Sequence, residues 1–483
     1  MRIAGAAVFV AAAGIITTVS FADGGYFRRD WLWLTLALCF LGGIPLLLRE
    51  QIVLGRLELV TVGGLAGLLG WTTVSATWSA TPVRSLHDAQ RDLIYVAALL
   101  AFLLLVEPSS VRALLAGVGF AVAIVSVYSL GDRLFFTHSI IRDPVSGTRL
   151  DVPLGYANAL GIVAAFGLVL AVGLLVHARY RFEQVLWAAA PIVFASALAL
   201  TQSRGAVLAL AFGIAVFVLL EPKRAELSAA ILLLAVPCAA SVLVTLRTSA
   251  LTDSNATPSD LMSAGRRLAV VLVALAFVSA IACRFQDRLA HSFERRTLTW
   301  LVPVVLTVGL ALVVTVVALG VDRALGPRVD YWRVAWHEFT GHPLAGTGAA
   351  TFVRYWQRTG APIAVLDAHS LYLETLAELG IVGLVFVVCA LLPPLVVPTR
   401  GRAQPLTALA TGVYAAFLVH AGFDWDWEMP AATLPGILGA VALLASGRPE
   451  RPTFELSGLA RLGVALVLVA NALAALLARL LAA

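Results

Sequence analysis

Long unbroken apolar runs decide what this chain can fold into. By hydropathy they fall near 3–20, 31–48, 57–75, 93–106, 112–130, 154–176, 185–200, 205–220, 227–246, 267–283, 299–320, 370–397, 405–420, 431–446 and 461–481. A helix crossing a bilayer needs about 17–25 apolar residues, and most of these runs have that length. Water is missing from the bilayer core, so only helices or closed barrels can satisfy their own backbone there. Barrel strands would alternate over about ten residues, whereas these runs are continuous. The expected fold class is all-α: a polytopic transmembrane helical bundle of about 12–15 spans, with one long outer loop carrying an amphipathic helix. The short 93–106 run is expected to borrow residues from the Arg91–Asp92 side.

Composition agrees. The chain is 60% hydrophobic and 13% charged, against about 25% charged in an average soluble domain. Cys39, Cys238, Cys283 and Cys389 form no C-x-x-C pair, so neither a disulfide framework nor a zinc site is suggested. The net charge of +6 is spread among short loops, which fits loops obeying the positive-inside rule and gives no basis for a nucleic-acid partner. Arg2 followed by an apolar run and Val19-Ser20-Phe21-Ala22 has the outline of a signal peptide. The run is longer than a usual signal core, so it reads as the first membrane helix. One membrane domain, 1–483, accounts for the sequence.

With Met1 in the cytoplasm, Arg49–Arg56, Arg179/Arg181, Lys223/Arg224, Arg284–Arg296, Arg400/Arg402 and Arg448/Arg451 fall inside, as the charge rule expects. The polar excursion 321–369 then lies outside, with loops 76–92, 131–153, 247–265 and 421–430. Chemistry should be sought there, since a loop of this length in a compact chain is usually functional or disordered.

Within the excursion, Gly326-Pro327 precedes a helical pattern and Gly341-His342-Pro343 ends it. Val329, Trp332, Trp336 and Phe339 recur at i, i+3, i+7 and i+10, the spacing of an amphipathic helix. Arg328 projects within the Trp332–Phe339 sector, while Arg333 and His337 point away. Arg328 therefore either meets an anion or snorkels to lipid phosphate. Gly346-Thr347-Gly348 has the outline of a phosphate-cradling loop or of a plain tight turn. His369 stands where the chain re-enters the membrane, with Leu373, Leu376, Gly380 and Gly383 below it on one face. The glycines allow close helix approach there. Glu374 and Glu378 lie on the other side, and Glu378 sits about 13 Å below His369 at 1.5 Å per residue. A carboxylate at that depth is functional or paired. A neutral imidazole at the water boundary can take a proton from a hydroxyl, although interfacial polarity alone would also place one there.

Arg204, in Thr201-Gln202-Ser203-Arg204-Gly205, occupies a very short outer connection. Its planar fork suits a diphosphate, or it serves as an interface anchor. Trp71, Trp78, Trp425 and Trp427 fit an interfacial aromatic belt. Asp424, Asp426 and Glu428 form an acidic cluster without fixed metal-ligand geometry. His87, Asp88 and Arg91 belong to an outer loop at the rim. Asn255-Ala256-Thr257 matches a glycosylation sequon by chance.

Four stretches together resemble the O-antigen ligase and polymerase superfamily of bacterial membrane enzymes. They are Thr201-Gln202-Ser203-Arg204-Gly205-Ala206, Arg328 with Trp332, His342-Pro343-Leu344-Ala345-Gly346-Thr347-Gly348, and His369 with Leu373, Glu378, Gly380 and Gly383. The resemblance is best over 150–400, which would be the catalytic region. Ser370 stands where the family more often has asparagine. The resemblance implies metal-independent, inverting transfer of a glycan from a polyprenyl-diphosphate carrier to a glycan or glycolipid acceptor, on the outer face of the bacterial cytoplasmic membrane. It implies no cofactor. By it, Arg204 and Arg328 would grip the donor diphosphate, Glu378 would belong to the substrate site, and His369 would deprotonate the acceptor. The rival classes are a lipid or polysaccharide transporter, whose charged sites usually lie near the midplane, and a non-catalytic scaffold.

Overall fold

The computed structural model describes residues 3–49, 52–135, 147–253, 256–292, 326–400, 404–448, 457–458 and 461–465. The span expected at 299–320 lies outside these residues, as do Asn255 and the 461–481 run beyond residue 465. The described fold is an all-α bundle without strands. Helices α1 (Ile3–Ser20), α2 (Arg28–Leu48), α3 (Arg56–Ser75), α4 (Pro82–Leu105), α5 (Val111–Phe135) and α6 (Ala157–Val176) form its first half. Helices α7 (Arg181–Thr201), α8 (Arg204–Leu220), α9 (Arg224–Arg247), α10 (Pro258–Ala282) and the short α11 (Gln286–Ser292) follow. The long loop carries α12 (Arg328–Gly341) and α13 (Phe352–Gln357). Helices α14 (Leu371–Leu391), α15 (Pro393–Val396), α16 (Thr407–Ala421) and α17 (Pro430–Ser446) close the described chain. Among the described residues, eight helices are long and apolar enough to cross a membrane, and four more apolar helices are 10–17 residues long.

Burial separates the centre from the lipid-facing rim. In α6 the most apolar window is 94% buried, against 22% in the segment containing α10. Helix α6 can occupy the centre because its glycines admit close neighbours. A Cβ on Gly161 would meet Ser203 and Ala206, and one on Gly173 would meet Leu409 within 3 Å. Dispersion between tightly fitted surfaces holds such helices together where lipid removes the hydrophobic drive. On the rim, Phe40, Val236, Val270 and Phe277 stand exposed, as lipid-facing side chains should.

Two helices depart from expectation. Helix α4 starts at Pro82, so His87, Asp88 and Arg91 sit on its first turns and not in a loop. The short apolar run does borrow the Arg91–Asp92 side. Helix α14 was expected to be continuous, with Leu373, Leu376, Gly380 and Gly383 packed inward. Instead it breaks at Gly380, whose φ of 67° and ψ of −166° leave the helical region. Above the break the buried positions include Leu371, Glu374, Thr375 and Glu378, whereas Leu373 and Leu376 are only half-buried. Polar partners in the loop reverse the face that apolarity alone predicts.

The ends of the bundle differ. At one end, which we call the loop end, α12 and α13 cover the connections. At the opposite end the basic residues bind helix termini. Arg448 pairs with Glu58 at 2.8 Å and donates to the Val106 and Leu103 carbonyls, while Arg49 donates to those of Leu104 and Leu105.

Candidate active site at the loop end

The helix break is where the loop is fastened. Breaking α14 frees backbone groups that a membrane cannot satisfy, so the chain supplies the partners itself. The Ile381 and Val382 amides donate to the Pro343 and Leu344 carbonyls at 2.9 and 3.3 Å. The Thr347 and Gly348 amides donate to the Ala377 and Glu378 carbonyls, and Trp71 Nε1 donates to the Leu379 carbonyl at 3.0 Å. Gly380 is required because a Cβ there would lie 2.3 Å from the Leu344 carbonyl oxygen at a positive φ.

This settles what the Gly346–Gly348 turn does. Gly346 N donates to the His342 carbonyl, Ala349 N to Ser75 Oγ, and Ala350 N to Glu378. The amides of a phosphate cradle are thus already engaged, and the plain-turn reading holds. Glu378 itself accepts from Ala350 N at 2.7 Å and Phe352 N at 2.9 Å. Its burial is explained by pairing to loop backbone. Glu338, on the loop side, accepts hydrogen bonds from Thr347 and Thr351. Burial pushes its carboxyl up to about 7, against which the threonine hydrogen bonds act.

Helix α12 forms where expected, but its buried face is one residue out of phase. The buried positions are Tyr331, Ala335 and Glu338, while Trp336 is 54% exposed and pairs with Phe339 at a centroid distance of 5.2 Å. Trp336 faces outward and Trp332 and Phe339 are half-buried, while Tyr331 and Ala335 turn into an apolar cluster with Phe352 and Trp356. Arg328 shares the phase of the buried set at i, i+3, i+7 and i+10, so its inward direction stands for a different reason. Arg333 is exposed and pairs with Asp330 at 2.9 Å.

Arg328 points at Asp424. Its Nη2 lies 2.7 Å from Asp424 Oδ2, with the arginine 24% and the aspartate 1% exposed. Its buried Nε has no hydrogen-bond partner among the described residues. Asp424 also accepts from Asn158 Nδ2 at 2.7 Å, from the Tyr156 hydroxyl at 2.9 Å and from Trp425 N at 2.9 Å. Burial would raise the Asp424 carboxyl, yet Arg328, His420 and His369 together hold it below the ordinary carboxylate value. The acidic cluster is therefore three separate pairs: Asp424 with Arg328, Asp426 with His420 at 2.9 Å, and Glu428 with Arg91 at 2.6 Å.

His369 closes the other side. Its φ is 54°, and its ring lies 4.9 Å from that of Tyr331. Nδ1 is 3.1 Å from the Asp367 carbonyl oxygen, which can only accept. That contact assigns the proton to Nδ1 and the lone pair to Nε2. Ser370 takes no part in this orientation, because its hydroxyl caps α14 by accepting from Leu373 N at 3.5 Å. Burial lowers the His369 pKa below its ordinary 6.5, partly offset by Asp424, so the imidazole is neutral at pH 7. Arg328, Asp424 and His369 thus share one electrostatic neighbourhood.

Arg204 reaches the same end by its backbone. Ser203 caps α8 there, and Gly205 lies against the His420 ring. The Arg204 side chain is exposed. Between this turn and Asp424 stands Arg149, a residue that sequence reasoning passed over. Its Nε donates to the Thr201 carbonyl at 2.6 Å and its Nη2 to Asn158 Oδ1. A lone arginine in an aperiodic segment gives no signal, but Asn158 inside an apolar run could have been noticed.

Residues 258–388 match the O-antigen ligase family model. This segment is thus similar to an O-antigen ligase domain. It contains Arg328, the fastened loop, His369 and Glu378, and it ends before Asp424; Arg204 precedes it. A comparison with curated proteins gives no match. The family match covers this segment and not the whole chain; together with the bundle of apolar helices it supports a multi-pass membrane protein with an O-antigen ligase- or polymerase-type role in membrane glycan transfer.

Proposed function

We propose that the chain transfers a glycan from a polyprenyl-diphosphate carrier to an acceptor hydroxyl, with the loop end facing outward from a bacterial cytoplasmic membrane. The observation that carries this reading is that Arg328 pairs with the buried Asp424, whose charge also acts on the neutral imidazole of His369. His369 Nε2 accepts the proton of the acceptor hydroxyl, whose oxygen attacks the anomeric carbon. The bond from that carbon to the diphosphate breaks with inversion, and the leaving group carries the negative charge away. Arg328, held in place by Asp424, meets that charge with its remaining donors, and Arg204 meets it from the α8 side. Glu378 supports the site through the loop it holds. The step needs no metal. Outward placement is supported by Arg49, Lys223 and Arg448 gathering at the opposite end.

A broken helix is also a transporter feature, since freed ends at midplane can bind ions or substrates. Here the ends at Gly380 are capped by the chain's own loop and by Trp71, which favours surface chemistry. The test is transfer in proteoliposomes supplied with a polyprenyl-diphosphate glycan and a glycan acceptor. His369→Asn should lower it by about 10²–10⁴-fold, and asparagine tolerates the positive φ that this position needs. Undiminished transfer would remove the general-base role.

A further inference from the structure

Beside the Arg328–His369 centre, a cavity of about 580 Å³ opens at the loop end, and no step of the transfer so far uses it. Its wall carries both signs of charge, including Arg84 and Asp88 from α4 and Asp367 and Glu374 from the loop and α14. The chemistry of the wall narrows the ligand. Asp367, Glu374 and Glu428 bring their carboxylate oxygens within 4.8 Å of one another, which makes the floor a poor place for a diphosphate. Burial pushes the Asp367 carboxyl up to about 7, with Arg91 acting in the opposite direction. A half-protonated carboxyl both donates and accepts, as a sugar hydroxyl does.

Aromatic rings connect this cavity to the centre. Phe27 and Tyr26, at its mouth, are 48% and 38% exposed and lie 5.4 Å apart by centroid. Tyr26 is 5.5 Å from Trp425, and Trp425 is 4.6 Å from Tyr156, whose hydroxyl binds Asp424. The rings form a continuous file from the cavity to the Arg328 carboxylate partner. The C–H face of a pyranose ring is weakly positive and sits well on the negative face of an aromatic ring. Asp367 joins the two regions again: its side chain lines the cavity, and its carbonyl fixes the tautomer of His369.

We infer that the cavity and the Phe27–Tyr26–Trp425 file bind the acceptor as an uncharged glycan chain, laid along the rings with its terminal hydroxyl directed to His369. The assignment to the acceptor rests on the proposed transfer reaction; glycan binding itself does not. Carboxylates and guanidinium groups share the wall, so hydroxyls find both donors and acceptors while a polyanionic glycan gains no net attraction. The donor diphosphate approaches from the Arg328 side, and the acceptor from the cavity side.

The experiment uses the full chain in detergent, passed over an immobilised panel of neutral and acidic oligosaccharides. The expected result is retention on neutral glycans, weakened about tenfold or more in Tyr26→Ala/Phe27→Ala and unchanged in Val236→Ala on the lipid-facing rim. Both rings are exposed, and an unchanged melting temperature would confirm that the double variant folds. No retention by the unaltered chain, preference for acidic glycans, or retention kept by the double variant would each overturn the inference. In the transfer assay, the double variant should raise the acceptor KM and leave the donor KM unchanged. Glycan retention without any transfer would overturn the proposed reaction and leave the binding site standing.

Discussion

Two parts of the loop end carry candidate functional residues in the sequence, and the structure treats them differently. The Gly346–Gly348 turn with Glu378 commits its amides and both carboxylate oxygens to the chain's own backbone. The Arg328–Asp424–His369 centre keeps the Arg328 Nε and the His369 Nε2 lone pair for something else. Buried polar groups are normally satisfied, so a site whose groups are all paired is architecture. One that holds reactive atoms in reserve is prepared for a ligand.

The sharpest way to break this comparison is to change one member of each part. His369→Asn removes the base and should lower transfer by about 10²–10⁴-fold, the usual worth of general-base catalysis. Its melting temperature should barely move. Arg328→Lys should follow, weakening donor binding by about ten- to a hundredfold through loss of a charged hydrogen bond and the planar fork. Retained donor affinity in that variant would remove Arg328 from the diphosphate site.

The paired region should respond in stability. Gly380→Ala places a Cβ against the Leu344 carbonyl at a positive φ, and such backbone strain costs about 1–3 kcal/mol before the clash is counted. Glu378→Gln leaves one of two buried amides poorly matched, at a cost of about 1–3 kcal/mol. Thermal unfolding of the purified protein reads both. A large change in donor affinity from Glu378→Gln without a stability change would return Glu378 to the substrate site.

Much of the frame was legible because lipid imposes length and apolarity on every crossing helix. Arg328 was also legible, since one arginine at the start of an amphipathic helix has a definite direction. Its helix face was not, because Tyr331 and Ala335 are buried in one apolar cluster with Phe352, Trp356 and Ala377, and Glu338 by the hydroxyls of Thr347 and Thr351, none of which the helix's own periodicity shows. The break at Gly380 was hidden because no proline marks it and the apolar run continues directly after the glycine. Asp424, Asp426 and Glu428 appeared as one cluster, yet each pairs with a base from a different helix. Only the tertiary structure separates them.

The smallest effect expected is in pH, where the two parts should move in opposite directions. Burial depresses the His369 pKa below 6.5, so its contribution to stability is present above that value and is lost as pH falls through the folded pKa. Transfer should fall over the same acidic window, as the base takes up a proton. Burial raises the Glu338 carboxyl from 4.5 to about 7, so its contribution is full below 4.5 and is lost as pH rises towards 7. The Thr347–Thr351 segment should therefore exchange its amide hydrogens faster, after correction for intrinsic rates, at pH 8 than at pH 6. Glu338→Gln should flatten that difference while leaving the acidic limb of transfer in place. A variant that shifted the transfer limb instead would show that the loop and the centre titrate as one unit.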